Sequence, residues 1–424
     1  MKHKKNQLFD RRNFIKTAGI GVGAGILGMQ YSCKSSAKSA VAPPEPVAPL
    51  TLPAIEGFED TGKAPITQKI WTPVSDRKIR VGLVGYGVCR FAAVFGFQDH
   101  PNVEVVAVSD IIPERCAELA RVTKCSKTYP SLEELVKDPS IEAVFVATDA
   151  PSHARHSIEA LNHGKHVACA VPAVWGSLED AEKLYETVKR TGLKYMMFET
   201  SAFHDDVHAA RQIYNAGGFG NLIYCEGEYY HYFATALASY NGWRVGLPPQ
   251  WYPTHSNAYY ICVSGGSFTE VSCMGKRSIV PHLMPENNPY KNPFGSEIAL
   301  FRTNEDGMAR MAVCWDIPGI GGEIGRIGGQ KGALWNRPFN GIAQSNELVK
   351  TLDLQKPALP PGVTAGGHGG SHGHLTEEFV RSILEDRKPL VDIAMSLNLT
   401  VSGIVAHQSA LKDGELLKIP QYKF

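Results

Sequence analysis

Gly85 and Gly87 close a short β-branched run, Ile79-Arg80-Val81-Gly82-Leu83-Val84, and are followed by Phe91 to Phe97, which can start a helix. Strand, glycine turn and helix together let backbone amides approach a pyrophosphate seated on a helix N-terminus. A second strand, Val103 to Ser109, ends in Asp110, twenty-three residues after Gly87. A carboxylate there suits a ribose 2′-hydroxyl and repels a 2′-phosphate, which favours NAD over NADP. Gly85, Tyr86, Gly87 and Asp110 are therefore candidate cofactor residues. Arg90 stands where the fingerprint's third glycine would be, and it has two readings: a phosphate partner or an outward-facing helix arginine.

Other chemistry-bearing groups cluster further along. His368 lies in a glycine-rich loop with His372 and His374, but no acids or thiols accompany them, so a substrate-contacting loop is expected and no metal. The run Leu222 to Tyr232 alternates, placing Glu226, Glu228, Tyr230 and Tyr232 on one face and Cys225, Tyr229 and His231 on the other. No CxxC occurs among the cysteines after Cys33, which argues against zinc and against a disulfide framework, although one or two bridges stay open.

These groups need a scaffold, and alternating signals supply it. Ser131-Leu132-Glu133-Glu134 reads as a capping box, Ala143 to Thr148 as a strand, and His153 to Asn162 as a helix closed by Gly164. His166 to Cys169 is the next strand, Ser177 caps a helix running to Gly192, and Lys194 to Phe198 is a further strand. The alternation predicts an α/β fold: an N-terminal Rossmann domain with a doubly wound parallel sheet over residues 77–200. Beyond Glu226, the β-rich runs Phe268 to Cys273, Glu297 to Arg302 and Met308 to Trp315 predict a C-terminal α+β domain over 201–424 with a largely antiparallel open sheet. Asn304-Glu305-Asp306-Gly307 is a hairpin signal between the last two runs. Helices Leu375 to Glu385 and Ile393 to Lys412, the latter stopped at Gly414, should pack back on the core.

The chain has 424 residues, of which 43% are hydrophobic, and 43 Lys and Arg against 42 Asp and Glu leave a net charge of +1. Such a balance lacks the one-signed field that nucleic-acid binding needs, so nucleic acid is excluded as a partner. Lys2, Lys4, Lys5, Arg11, Arg12 and Lys16 precede an uncharged stretch from Thr17 to Ser32, the pattern of a signal peptide over residues 1–33. Arg11-Arg12 resembles a twin-arginine signal, which exports folded proteins to the bacterial periplasm. Cys33 resembles a lipoprotein acceptor, so the membrane is expected to be touched only through a lipid anchor there. A Pro-rich linker should occupy residues 34–76.

Several stretches carry a family likeness: Val84-Gly85-Tyr86-Gly87, Ala147-Thr148-Asp149-Ala150-Pro151-Ser152-His153, Gly164-Lys165-His166-Val167, Gly217-Gly218-Phe219-Gly220-Asn221 and Gly328-Gly329-Gln330-Lys331-Gly332-Ala333-Leu334. Through them the chain resembles the Gfo/Idh/MocA family of sugar-active, nicotinamide-dependent proteins over roughly residues 77 to 420. The resemblance adds Thr148 and His153 to the expected cofactor residues and implies a homo-oligomer.

Dehydrogenases of this family carry a Glu-Lys-Pro motif whose lysine helps take the substrate proton. Here the matching stretch is Cys169-Ala170-Val171-Pro172, so that base is absent. The NAD-dependent glycosidase branch, the α-N-acetylgalactosaminidase-like enzymes, looks closer. Its parallels are Val171-Pro172, Tyr195-Met196-Met197-Phe198-Glu199, Glu226 to His231, Trp251-Tyr252-Pro253-Thr254-His255 and Gly366-Gly367-His368-Gly369-Gly370. Ala170 departs from the branch's glutamate, and Thr200 to Phe203 from its usual Asn and Tyr.

That likeness implies a redox-neutral glycosidase. A tightly bound NAD transiently oxidises a ring hydroxyl, elimination cleaves the glycoside, and the hydride returns. It also implies that Tyr252 and His255 transfer protons, and that Glu228, Tyr229, His231 and His368 contact a sugar or glycoside. Histidine's ordinary pKa, about 6.5, suits proton transfer near neutrality. A dehydrogenase releasing a keto-sugar and a non-catalytic, lipid-anchored sugar-binding protein remain alternatives.

Overall fold

In a computed structural model, residues 69–335 and 338–424 are described. The expected signal peptide, Cys33 and the expected linker up to residue 68 lie outside the described residues. From Lys69 onward the expected linker is already fastened to the body. Lys69 pairs with Asp353 at 2.5 Å, the Trp71 indole N–H donates to Glu377 at 2.8 Å, and the Asn102 amide donates to the Ser75 carbonyl at 2.7 Å.

The first sheet is built from β1 (Ile79–Val84), β2 (Val103–Ser109), β3 (Thr128–Tyr129), β4 (Ala143–Val146), β5 (His166–Cys169) and β6 (Tyr195–Met197). All neighbours are parallel, in the order β3-β2-β1-β4-β5-β6. Reversal of the order at β1 opens a crevice beyond the strands' carboxyl ends, between β1 and β4, where ligands of such sheets bind. Strands buried on both faces need apolar side chains throughout, and Ala143, Val144, Phe145 and Val146 are all 0% exposed. The predicted caps are in place, since the Ser131 and Ser177 side chains accept from the Glu134 and Asp180 amides. Phe91–Val94 (α1) is a single turn, shorter than the sequence suggests, because Gly96 enters the left-handed region at φ 77°.

The second sheet contains β7 (Leu222–Tyr230), β8 (Phe268–Arg277), β9 (Phe294–Thr303), β10 (Met308–Cys314), β11 (Gly322–Gly329), β12 (Gly332–Trp335), β13 (Asn340–Gly341) and β14 (Leu417–Lys418). Its order is β13-β12-β11-β7-β10-β9-β8-β14, antiparallel except where β10 runs parallel to β7. The hairpin between β9 and β10 turns at Asn304 to Gly307 as expected.

One face of this sheet is covered by the helix Thr254–Ser264 and by the helix Ile393–Ala410. The first can lie close only because glycines stand beneath it. Gly227 and Gly325 are paired in register on β7 and β11, and a Cβ on either would come within 1.9 Å of the Ser256 carbonyl oxygen or 1.8 Å of the Tyr259 ring. The second helix braces the first, since the Asn257 amide donates to the Leu399 carbonyl at 2.9 Å and to the Ser402 hydroxyl at 3.0 Å.

The C-terminal helices pack against the first domain. Thr376 donates to the Phe95 carbonyl at 2.7 Å, His100 meets Glu377 at 2.7 Å, and the Met197 amide donates to the Val391 carbonyl at 3.1 Å. Among the described residues no helix is long and apolar enough to cross a membrane, and the cysteines are unpaired.

Candidate active site

A cleft of about 1220 Å³, its open mouth included, follows the carboxyl ends of β1, β2 and β4. Gly85, Tyr86, Gly87, Asp110, Thr148 and His153 all line it, so the tertiary structure brings the six expected cofactor residues together. Gly85 sits at φ 95°, and a Cβ there would stand 2.4 Å from the Ala147 carbonyl oxygen, so the turn itself requires glycine. Gly87 differs: nothing lies within 4 Å of where its Cβ would be. The fold does not need glycine at that point, whereas close approach of a ligand to the backbone does. Asp110 uses one oxygen to accept the Tyr86 amide at 2.6 Å and the other to accept the Ile112 amide at 2.8 Å. It thus shapes the glycine turn while keeping acceptor capacity toward the cleft.

Two of the six serve the walls. Thr148 bonds His156 at 2.8 Å, and His153 is buried with Nδ1 on the Pro172 carbonyl at 2.8 Å and Nε2 on the Thr148 carbonyl at 3.2 Å. With both ring nitrogens spent on backbone, His153 ties the β4 turn to the Val171-Pro172 turn and has no nitrogen left for a ligand. These residues fit a dinucleotide, with the glycine turn open to its phosphates and Asp110 placed for a ribose.

Across the cleft lies a segment from the second domain. Ala238, Ser239, Tyr240, Trp243 and Arg244 line it opposite the glycine turn. Trp243 packs edge-on against Trp175 at 5.2 Å, the Arg244 guanidinium lies 4.1 Å over the Trp243 ring, and an Arg244 N–H meets the Cys89 sulfur at 3.6 Å. Arg244 forms no ion pair among the described residues. Nothing in the local sequence singled it out.

The inner end of the cleft is a pocket of about 450 Å³, its opening included, that shares Phe91, Ala170, Val171, Arg244 and Tyr252 with the outer cleft. Tyr229, His231, His255 and His368 complete its polar lining. Tyr252 and His255, 5.7 Å apart between ring centroids, flank the first turn of the helix Thr254–Ser264. Gln250 anchors the approach, its amide donating at 2.8 Å to Glu297, which also bonds His407 at 2.7 Å. Tyr229 stands edge-on to His255 at 4.7 Å, and His368 stacks on it at 6.5 Å.

His255 is 3% exposed, and its Nδ1 lies 2.8 Å from Oε1 of Glu199, a carboxylate with no exposure at all. Glu323 Oε1 is 3.8 Å from the same nitrogen, and the Ser201 hydroxyl donates to Glu323. Burial by itself would push the imidazole down, but Glu199 and then Glu323 override it and hold His255 up to about 9. Burial would likewise raise Glu199, and the facing imidazolium brings it below its ordinary value. Burial pushes the Tyr252 phenol up, against the pull of Arg244, so it stays protonated. Burial and the Arg244 charge push His231 down to about 4, and burial with neighbouring histidines keeps His368 well below its ordinary value, so both rings are neutral.

Glu228 does not join this group, which corrects the sequence expectation. It lies on the opposite face of β7, bonded to Arg310 in a network with Glu226 and Arg326. Strand alternation separates it from Tyr229 and His231, and the helix Thr254–Ser264 decides which face is the inner one. Glu199 and Glu323 were missed. Glu199 carries a faint signal, a carboxylate closing the apolar strand Tyr195 to Phe198, and Glu323 carries none because β11 has no strand pattern. Among the described residues no group of three or more His, Cys, Asp or Glu is placed to hold a metal.

Residues 79–199 match the profile of an oxidoreductase family with an NAD-binding Rossmann fold. Over these residues the chain is similar to the Gfo/Idh/MocA family. Among curated relatives, a glycosyl hydrolase family 109 protein of Porphyromonas gingivalis is 29% identical over 177 residues, 39% of this chain and 38% of that one. A glycosyl hydrolase family 109 protein of Streptomyces filamentosus is 25% identical over 448 residues, covering 96% and 87%. The chain thus spans 38% of the length of the first curated relatives it matches. Among solved structures, scyllo-inositol dehydrogenase from Lactobacillus casei with NAD(H) and scyllo-inositol superposes with a TM-score of 0.61 at 17% identity, over 81% of this chain and 99% of that one. That likeness establishes the fold: a parallel first sheet and a mostly antiparallel second sheet.

Proposed function

We propose that this chain is an NAD-dependent enzyme acting on a sugar or glycoside, and that it cleaves a glycoside in a cycle with no net redox change. One observation carries the reading: a buried histidine–carboxylate pair, His255 and Glu199, stands with Tyr252 where the dinucleotide cleft ends in a small pocket that also holds Tyr229, His231 and His368. Bound in the cleft, a nicotinamide supplies a reversible two-electron acceptor for a carbon-bound hydrogen. The neutral form of His255 takes the proton of the ring hydroxyl on Nε2, since among the described residues its hydrogen bonds all fall on Nδ1. Tyr252, held protonated, donates to a sugar oxygen. Ala170 and Val171 leave the site without the usual lysine, so proton transfer falls to this group.

Ala170 in place of the glycosidase branch's glutamate favours a second reading, a dehydrogenase that releases the keto-sugar. Purified protein is expected to give up NAD on denaturation. With aryl glycosides in deuterated water it is expected to release the aglycone and a sugar carrying deuterium at C2. A keto product without free aglycone would establish the dehydrogenase reading. Intact binding of sugar without turnover would overturn both.

Export by the twin-arginine route, lipidation of Cys33 and a homo-oligomer belong to the same proposal. The leader sequence supports the first two. Ile298, Leu300 and Met308, 42%, 58% and 58% exposed on the outer face of the second sheet, support the third. Mass spectrometry of the mature N-terminus should find a lipid-modified Cys33, and light scattering should find a multiple of the chain mass. An unmodified terminus or a monomer removes the corresponding part.

A further inference from the structure

Glu199 stands in one of the stretches that carry the family likeness but is assigned no role there, and it does not line the cleft, yet it makes the shortest hydrogen bond to His255. Its Oε1 serves the His255 Nδ1 at 2.8 Å and the Ser201 amide at 2.9 Å, while Oε2 is buried without a hydrogen-bond partner among the described residues. A carboxylate with one orphaned oxygen and no exposure is costly to bury, and replacement of such ion pairs by apolar residues is often neutral or stabilising. Packing therefore gives little reason for a carboxylate at this place, whereas a histidine that must present one particular nitrogen gives a strong one.

We propose that Glu199 is the positioning residue of the proton-transfer step: by accepting the Nδ1 hydrogen of His255, it turns the unprotonated Nε2 toward the substrate hydroxyl. The inference deepens the reading in which His255 takes that proton, and it rests on it. In the step, the substrate loses its hydroxyl proton to Nε2 and its carbon-bound hydrogen, with the electron pair, to the dinucleotide. Glu199 itself gains and loses no proton.

The arrangement around the ring agrees. Glu199 approaches from the turn after β6, Glu323 from β11, Tyr229 and His231 from the end of β7, His368 from the Gly366–Gly370 turn, and Tyr252 from the ring's own segment. Arg244 lines the same pocket, and its charge is not matched by a carboxylate. Among the described residues only the two glutamates attract a proton to the ring, and both lie on the Nδ1 side, at 2.8 and 3.8 Å. The Nε2 side is left to the pocket.

The experiment uses the NAD-loaded protein and its Glu199→Gln variant, with reduction of the bound dinucleotide followed on mixing with the glycoside. NAD content should be unchanged and the reduction rate should fall about 10²–10⁴-fold, the scale seen when a histidine loses the carboxylate that fixes its tautomer. The pH at which the rate climbs should move toward acid by about one pH unit or more, because the charge that holds the imidazolium is gone. A Gln variant with the wild-type rate and pH profile overturns the proposal and leaves the glycoside reading intact. Wild-type protein that never reduces its dinucleotide with any sugar overturns the reading and this proposal with it. Should the variant not fold, nitrogen NMR of the wild-type histidine rings above pH 9 decides: hydrogen on Nδ1 of His255 is expected, and hydrogen on Nε2 refutes the assignment.

Discussion

His255→Asn is expected to lower turnover of the wild-type substrate by about 10²–10⁴-fold while the dinucleotide stays bound, since only the proton acceptor is lost. Asn can still donate one hydrogen bond toward Glu199, so the cavity keeps its shape, but it cannot carry the positive charge that faces that carboxylate. Breaking a buried pair this way leaves an uncompensated charge. The variant should therefore melt lower than wild type at neutral pH and recover part of the difference on acidification, as the stranded Glu199 takes up a proton.

Wild type should show the complementary profile. The folded-state pKa of His255 is raised, so its contribution is complete below the ordinary imidazole value of 6.5 and fades as pH rises toward about 9. That of Glu199 is lowered, so its contribution is complete above the ordinary carboxylate value of 4.5 and fades as pH falls below it. The pair stabilises fully between those two ordinary values. Melting temperature against pH, compared between wild type and the Asn variant, checks this: parallel curves would mean that His255 and Glu199 do not interact. A variant with wild-type turnover would remove His255 from the reaction.

Gly227→Ala adds one methyl group and is expected to damage the site without touching it. The new Cβ would lie 1.9 Å from the Ser256 carbonyl oxygen and 2.8 Å from the Met311 sulfur. Backbone cannot swing aside as a side chain can, so the helix Thr254–Ser264 must lift from β7. Overpacking of this kind costs about 1–3 kcal/mol, which corresponds to a fall in Tm on the order of 5 °C. His255 sits on the first turn of that helix, next to Ser256. A displacement of about 1 Å there is enough to cost on the order of 10²-fold in rate. Thermal melting and turnover should fall together, with NAD content preserved because the glycine turn and Asp110 stand on the other sheet. A variant that keeps both would show that the helix tolerates a longer standoff and that the glycine pair does not set the position of His255.

Much of the first domain was legible in order along the chain. Its strands β1, β2, β4 and β5 are largely runs of β-branched or small apolar residues, and each cap is a local event between residues three apart, as at Ser131 and Ser177. The cofactor residues were legible for the same reason: Gly85, Gly87 and Asp110 act through backbone geometry at the ends of two adjacent strands, and local spacing encodes that. The helix Thr254–Ser264 was not, because every residue from Thr254 to Val263 is buried. A helix packed on all sides has no polar face, hence no 3.6-residue period to read.

The division runs deeper at the site. Residue types and motif spacing pointed to a dinucleotide cleft and made Tyr252 and His255 near neighbours, and the family resemblance implied that the usual lysine is absent. Which face of β7 looks inward was decided by the helix resting on Gly227 and Gly325, and that choice admitted Tyr229 and His231 and excluded Glu228. The pairing of His255 with Glu199, 56 residues earlier, and with Glu323 on β11 was decided only when the two sheets were brought together across the C-terminal helices. Proton affinity depends on distance through a low-dielectric interior, and distance between residues far apart in sequence is a property of the folded chain.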